Sequence, residues 1–580
     1  MNRIKVLPPL LRNKIAAGEV IERPASVVKE ILENSIDAGS TRIEITILGA
    51  GKKLIRVSDN GCGMNREDAM LAFERYATSK ISEEDDLYRI RSMGFRGEAL
   101  SSIASIAKVK LVTAPGGKDS RDGQTGVAVE ISGGDIKGVK ESAASGTIIE
   151  VKDIFFNTPA RRKFLKTDAT ENYHIIDLVT REAMSHFNIG FILRIEGDDL
   201  LSLPPASSLR ERLVQIYGGQ FVDGLIETSS KDDILSVTAF AGKAANTRSN
   251  RNLQFLFVNR RPVRDPSINH AAYKAYEDII AADRHPVFFL FLEIDPEKID
   301  VNVHPAKREV RFEDKTGVYN FVFRTIREAL KNSAGDFVSI TPGGETLTGE
   351  YSVGHKRFPQ QGGEWSGLGE VYEADGPVMA AEAQGLRYET GVSGLYICDT
   401  FLAISEGQGL TMLDFHAAHE RINYERLLKK SGIETHRLLF PKQVKLAPRD
   451  YRSILDNLDL LRGFGMEIED FGHGALLVRS LPEMMIDSDL GDLLGDVAGG
   501  ITEGLRPEKD MEPIEALRRA VAARLACHSS IRGKREVPDN ARLAAIIRDL
   551  DLCDEPGRCP HGRPTRIIIS AAELKKMFRK

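Results

Sequence analysis

Two glycine-bearing segments, DNGCGM at 59–64 and GFRGEAL at 94–100, stand in a chain that has no GxxxxGK[ST] anywhere. A Walker-type phosphate loop is thereby excluded, so a nucleotide must be gripped by another architecture. Upstream, SVVKEILENSIDAG (26–39) has the apolar spacing of a helix and sets Glu30 and Asn34 one turn apart on one face. An acid and an amide on one helix, a tight aspartate-glycine turn and a glycine segment able to fold over a ligand point to an ATP site.

The totals exclude several other classes. A chain of 580 residues has room for about three or four domains. With 42% hydrophobic and 28% charged residues it reads as globular. The start, MNRIKVLPPLLRNKIAAGEV, is broken by Arg3, Lys5, Arg12 and Lys14 and lacks the apolar core of a signal peptide. No run reaches the ~18 apolar residues of a membrane span, so the expectation is a cytoplasmic protein with no membrane partner. A net charge of −5 excludes a whole-molecule field for nucleic acid. Local basic clusters remain at Arg161, Arg162, Lys163 and Lys166, and at Arg248, Arg251, Arg260, Arg261 and Arg264; each reads as a solvated face as readily as a contact. The five cysteines, Cys62, Cys398, Cys527, Cys553 and Cys559, make no disulfide framework. Three of them crowd the last 54 residues, which points to metal chemistry.

Periodicity divides the chain. After the helix at 26–38, TRIEITIL (41–48) alternates as a strand, LIRVSD (54–59) follows, 101–114 runs from helix into strand, and SGTIIEVKDIF (145–155) opens a strand on a glycine. This first unit, 1–214, reads as a layered α/β sandwich. A second α/β unit, 215–333, has strands at 252–263 and 288–294 and a helix at 267–280. Residues 334–388 lose periodicity among glycines and prolines, the composition of a flexible linker, and hold the one tryptophan, Trp365. The last unit, 389–580, begins with a hairpin turning at Glu406–Gly409, continues with helices at 417–430 and 516–532, and closes on strand 565–570; 440–510 reads as an inserted subdomain.

Taken together, IAAGEVIERPASVVKEILENSIDAG (15–39), DNGCGM, TSKI (78–81), GFRGEALSSI (94–103) and SGTIIEV (145–151) resemble the GHKL ATPases. GFRGEALSSI with FNTPAR (156–161) narrows the resemblance to the MutL family of DNA mismatch-repair proteins, over all of the chain except the linker. The resemblance implies a GHKL ATPase sandwich, a transducer-like second domain of ribosomal-protein-like fold, and a C-terminal α+β domain for dimerisation and metal-dependent cleavage.

Residue by residue, the resemblance assigns Glu30 as the general base for a water attacking the γ-phosphate, and Asn34 as the side chain that holds Mg²⁺. Asp59 is to accept the adenine amino proton, with Gly61 and Gly63 allowing close backbone approach and Gly146-Thr147 lining the same pocket. The segment Thr78–Gly97 is expected to be a lid wrapping the triphosphate. Thr78, Ser79, Lys80, Gly94, Phe95, Arg96 and Gly97, followed by Glu98, Ala99 and Leu100, are its binding residues. Lys307, in the second domain, is expected to reach the γ-phosphate, and Arg264 to contact DNA phosphates.

DFHAAHERINYE (414–425) fits the DxHA(x)₂E(x)₄E signature of those relatives that cut DNA, although Phe415 stands where glutamine is usual. It is neither HExxH nor HxxEH, which excludes the zincin helices. With Cys527 in ACHSSIR and Cys559 and His561 in CPHGRPT, the resemblance gives Asp414, His416, Glu420, Cys527, Cys559 and His561 as ligands of Zn²⁺ or Mn²⁺. Asp414 and Glu420 are the residues on which cleavage depends, Glu425 supports the site's fold, and Cys553 is assigned to packing. RLLFP (437–441) is similar to a sliding-clamp binding peptide without its leading glutamine.

Two functions compete. One is a homodimer using ATP and Mg²⁺ that acts after MutS and nicks double-stranded DNA. The other is a non-cutting ATPase matchmaker with a structural zinc; such relatives lack the DxHA and CPHGRP elements, both of which are present here.

Overall fold

The computed structural model describes residues 21–80, 93–94, 97–116, 126–142, 146–243, 246–248, 250–277, 279–280, 284–300, 310–334, 394–397, 401–406, 409–429, 434–504, 511–530 and 540–577. Phe95, Arg96, Lys307, Cys398, Trp365 and the linker expected at 334–388 (beyond its first residue) lie outside them, as does 81–92 of the expected lid.

The first helix, α1 (Pro24–Asp37), begins with proline at its first position, where the missing N–H costs no hydrogen bond. Val27, Val28, Ile31 and Leu32 recur at helical spacing and are almost wholly buried. Burial of each contributes on the order of 1.5–3 kcal/mol, and together they fix which face of α1 points away from the core. Lys29, Glu30, Asn34 and Asp37 lie on the less buried side.

Helix α1 packs on an eight-stranded sheet of order β5-β4-β3-β6-β2-β1-β7-β8. Its strands are β1 (Arg42–Leu48), β2 (Leu54–Asp59), β3 (Lys108–Ala114), β4 (Gly126–Ser132), β5 (Asp135–Ser142), β6 (Gly146–Lys152), β7 (Gly190–Ile195) and β8 (Asp198–Leu203). In β1, Ile43, Ile45 and Ile47 alternate into the core as their sequence period requires. Helices α2 (Ala99–Ile106) and α3 (Asp168–Ser185) complete the helical layer through Ile103, Ile106, Ile175 and Val179. The boundary expected at 214/215 falls inside α4 (Leu209–Tyr217), whose Leu213, Ile216 and Tyr217 join this same core.

The second sheet has the order β12-β11-β13-β10-β9, with β9 (Leu225–Lys231), β10 (Leu235–Gly242), β11 (Gln254–Val258), β12 (Arg261–Pro262) and β13 (Phe288–Ile294). Strands β11 and β13 are parallel and joined through α5 (Pro266–Ala275), the crossover a parallel pair requires. The single strand expected at 252–263 is two strands around a tight turn, because Asn259 and Arg260 adopt φ of 48° and 65°. Helices α5 and α6 (Lys315–Ala334) cover one face. A short ribbon, β14 (Ile299–Asp300) with β15 (Arg311–Phe312), lies beside them.

The C-terminal sheet runs β16-β17-β18-β22, from β16 (Gly394–Ile397), β17 (Phe401–Glu406), β18 (Gly409–Asp414) and β22 (Arg566–Ser570). Helix α7 (Phe415–Lys429) buries Phe415, Ala418 and Ile422 against this sheet. Ile567 and Ile568 on the edge strand β22 stay exposed. The insert is a three-stranded sheet, β19 (Thr435–Lys445), β20 (Glu467–Gly472) and β21 (Ala475–Pro482), with α8 (Pro448–Leu455) and α9 (Leu490–Gly504). Between Arg437 and Lys442 the β19–β21 register breaks, and Leu439 and Phe440 project into solvent.

The insert docks on the first two domains. Buried Arg449 of α8 reaches Asp177 Oδ1 on α3 at 3.1 Å and donates to Asn252 O at 2.7 Å. Arg248 pairs with Asp492 at 2.7 Å, and Asn250 donates to Asp496 at 3.0 Å.

Candidate ATP site and metal centre

The helix-turn-strand geometry at the end of β2 builds the first site. Asp59 ends β2 and is the register partner of Thr147, the second residue of β6. Its Oδ2 accepts from Ser35 Oγ at 2.7 Å and its Oδ1 from Gly61 N at 2.9 Å, so the carboxylate is held in one orientation. Backbone crowding explains the glycines. A Cβ on Gly63, at φ +63°, would lie 1.9 Å from Ala114 O, and one on Gly61 would lie 2.8 Å from Ala38 Cβ. Thr147 Oγ1 lies 3.1 Å from Thr113 Oγ1, which in turn accepts from Met64 N at 3.0 Å. Thr113 carries no motif of its own, and sequence reasoning passed over it.

Glu30, Asn34 and Asp37 follow at i, i+4 and i+7 along α1, close to one line. Lys80 Nζ donates to Asn34 Oδ1 at 2.9 Å and lies 2.5 Å from Asp37 Oδ2. An ammonium therefore rests on the amide oxygen expected to hold a cation. Asp37 also accepts from Met93 N at 2.9 Å and Gly94 N at 3.2 Å, tying both ends of the expected lid to α1. Its helical spacing from Asn34 was a signal for this role that the sequence reading did not use. At the lid's far end, Gly97 has φ +62° and accepts from Tyr76 N at 3.0 Å. Thr78 Oγ1 accepts from Lys80 N at 3.2 Å and Ser79 is exposed beside it; Glu98 precedes α2, which Ala99 and Leu100 open.

The second site forms where α7 meets the turn after Cys559. Cys559 N donates to Arg563 O at 2.8 Å and Gly562, at φ +84°, lets the chain reverse, so Cys559, His561 and Arg563 face the same helix. Glu420, Cys559 and His561 bring one ligand atom each within 4.8 Å of one another. The wholly buried Glu420 accepts from Arg563 Nη2 at 2.9 Å, with His561 Nδ1 at 3.4 Å and His416 Nε2 at 3.3 Å. Burial works to raise the Glu420 carboxyl, but hydrogen bonds from His416 and His561 outweigh it and hold the group well below the usual range. Burial likewise opposes ionisation of Cys559, yet His561 and Arg563 bring its thiol below the ordinary value. Hydrogen bonds with Cys559 and then Glu420 push His561 up to about 9. A buried carboxylate, a thiol biased toward thiolate and two imidazoles form a donor set suited to a zinc-like ion.

Asp414 and Cys527 stand outside that compact trio. Asp414 Oδ1 accepts from Ala417 N at 2.9 Å at the head of α7, and Cys527 lies near the end of α10 (Pro513–His528). Glu425 accepts from Asp554 N and Glu555 N at 2.8 and 3.1 Å, fixing the chain that leads to Cys559. Cys553 packs against the C-terminal core, its thiol pushed up to about 12 mainly by burial. Arg264 is exposed at the head of α5, beside the capping residue Asp265.

Residues 21–141 match the family model for histidine kinase-, DNA gyrase B- and HSP90-like ATPases. Residues 213–331 match that of the DNA mismatch repair protein C-terminal domain, and residues 396–537 the MutL C-terminal dimerisation domain. The chain is 38% identical over 580 residues to the DNA mismatch repair protein MutL of Thermodesulfovibrio yellowstonii, covering 100% of both. It is 38% identical to that of Paramagnetospirillum magneticum, covering 99% of each. Among solved structures, the Aquifex aeolicus MutL ATPase domain complexed with ADP matches 48% of this chain and 94% of its own, at 31% identity and a TM-score of 0.36. The chain therefore belongs to the MutL family of DNA mismatch repair proteins, with a GHKL-type ATPase domain at its N-terminal end and a dimerisation domain at its C-terminal end.

Proposed function

We propose that this protein is an ATP-switched homodimer that acts after MutS and nicks double-stranded DNA at a C-terminal metal centre. The observation that carries the reading is the convergence of Glu420, Cys559 and His561, residues 139 and 141 positions away from Glu420, on one buried carboxylate. Glu420, Cys559 and His561 would hold the ion, with His416 beside them and Asp414 and Cys527 completing the set. A divalent ion held there supplies an activated water and stabilises the leaving oxygen of a phosphodiester. Arg563 orients Glu420 through a hydrogen bond, and Glu425 holds the backbone on which Cys559 is carried.

At the N-terminal site Asp59 reads the adenine amino group, Asn34 holds Mg²⁺ once Lys80 swings to the phosphates, and Glu30 orients the attacking water. Lys307 of the second domain contributes a contact to the γ-phosphate, and Arg264 contacts DNA phosphates without regard to sequence. The exposed isoleucines of β22 fit a second copy, and the projecting Leu439 and Phe440 fit a sliding clamp. Burial of Glu420 and Cys559 favours one second reading, a zinc that only holds the fold of a non-cutting matchmaker. Nicking of supercoiled plasmid with Mn²⁺ separates the two: the proposal expects nicking by the wild type, and the second reading expects none.

A further inference from the structure

Beside Glu30 lies a buried charge cluster that the ATP site as described does not use. Lys29 Nζ is 2.7 Å from Glu33 Oε1, one turn on, and 3.7 Å from Glu30 Oε1. The lysine and both carboxylates are largely buried, at 15%, 6% and 19% side-chain exposure. Among the described residues, Lys29 is the one charged group within ion-pair distance of Glu30. Near this pair stand Glu182 of α3, wholly buried, and Arg261 of the second domain, also buried, both within electrostatic reach of Glu33.

A general base must point one way, and a carboxylate on a flexible stem does not secure that by itself. We infer that Lys29 is a positioning residue for Glu30: anchored by Glu33, its ammonium holds the Glu30 carboxylate turned toward the attacking water. The inference rests on the reading of Glu30 as the base. The alternative for Lys29 is purely structural, a counter-charge for buried Glu33. The two differ in what they predict when both charges are removed together.

The test measures ATP turnover by the full-length protein, with binding of a non-hydrolysable ATP analogue, for Lys29→Met, Lys29→Arg, Lys29→Met/Glu33→Gln and Glu30→Gln. Misplacing a reacting group by about 1 Å costs about 100-fold, so Lys29→Met is expected to lower kcat by about 10- to 100-fold. Analogue affinity is expected to stay within about threefold, a change worth less than 1 kcal/mol. Lys29→Arg should recover most of the rate. The double variant leaves no stranded charge at Glu33 and should remain slow; a wild-type kcat in it would assign Lys29 to structure alone and overturn the inference. A wild-type rate in Lys29→Met beside an inactive Glu30→Gln would also overturn it while leaving the base in place. A wild-type rate in Glu30→Gln would remove the base assignment, and this inference with it.

Discussion

Replacing Asp59 by asparagine tests the adenine contact with almost no change of shape. The carboxylate already accepts from Ser35 Oγ on Oδ2 and from Gly61 N on Oδ1. A carboxylate has lone pairs for these two donors and for the adenine amino group; an amide has one oxygen and presents N–H in place of the other. One donor must therefore face an N–H in a site with only 9% exposure. Leaving a buried donor unsatisfied costs about 1–3 kcal/mol, and replacing a charged by a neutral acceptor costs about 1 kcal/mol more. The sum, about 2–4 kcal/mol, corresponds to about 30- to 1000-fold weaker binding of a non-hydrolysable ATP analogue by calorimetry. Discrimination against GTP should weaken as well, because the guanine O6 acceptor is repelled by a carboxylate and not by an amide. Asp59→Asn binding the analogue within threefold of wild type, with the fold intact by circular dichroism, would refute this account of adenine recognition.

Three further outcomes follow from particular contacts. Gly63→Ala combines a left-handed backbone with a Cβ 1.9 Å from Ala114 O, so a loss of about 2–5 kcal/mol of stability and of nucleotide binding is expected in urea titrations and calorimetry. Glu182 is pushed up to about 8, first by burial and then by Glu33, so it folds protonated. Its contribution is full below an unfolded value near 4.5 and is lost as pH rises toward about 8, at roughly 1 kcal/mol per pH unit; Glu182→Gln should flatten the pH dependence of Tm between pH 5 and about 8 and raise Tm at the upper end. Arg449→Ala removes a half-buried pair with Asp177, which keeps Arg181, and strips Asn252 O of its donor, a change of about 1–3 kcal/mol; hydrogen exchange should speed up on both α3 and α8 while the Glu420, Cys559 and His561 cluster keeps its protection.

What the sequence revealed and what it hid divide along physical lines. Helix α1 and β1 were legible because local periodicity alone fixes their buried faces: Val27, Val28, Ile31 and Leu32 in one, Ile43, Ile45 and Ile47 in the other. The DNGCGM turn was legible because backbone at Ala38 and Ala114 leaves no space for side chains at Gly61 and Gly63. The turn between β11 and β12 was not, since Asn259 and Arg260 take left-handed conformations without a glycine to announce them. Asp37 lay in plain view at helical spacing, but its partners Met93 and Gly94 come from a segment more than fifty residues on. The CPHGRPT motif supplied Cys559 and His561, yet the pairing of Arg563 with Glu420 depends on a turn closed through Gly562. The docking of Arg449 on Asp177 joins surfaces 272 residues apart, and no pattern in either segment encodes it.

DNA cleavage at the C-terminal centre is the activity proposed for this chain. Its most direct test is conversion of supercoiled plasmid to the open circle by the full-length protein in Mn²⁺, for the wild type and Asp414→Asn, with ATP turnover as the check that both are folded. Nicking by the wild type and not by Asp414→Asn is the predicted result. Absence of nicking by the wild type, with clamp and ATP supplied and ATP turnover intact, would contradict the claim and leave a non-cutting ATPase with a structural zinc.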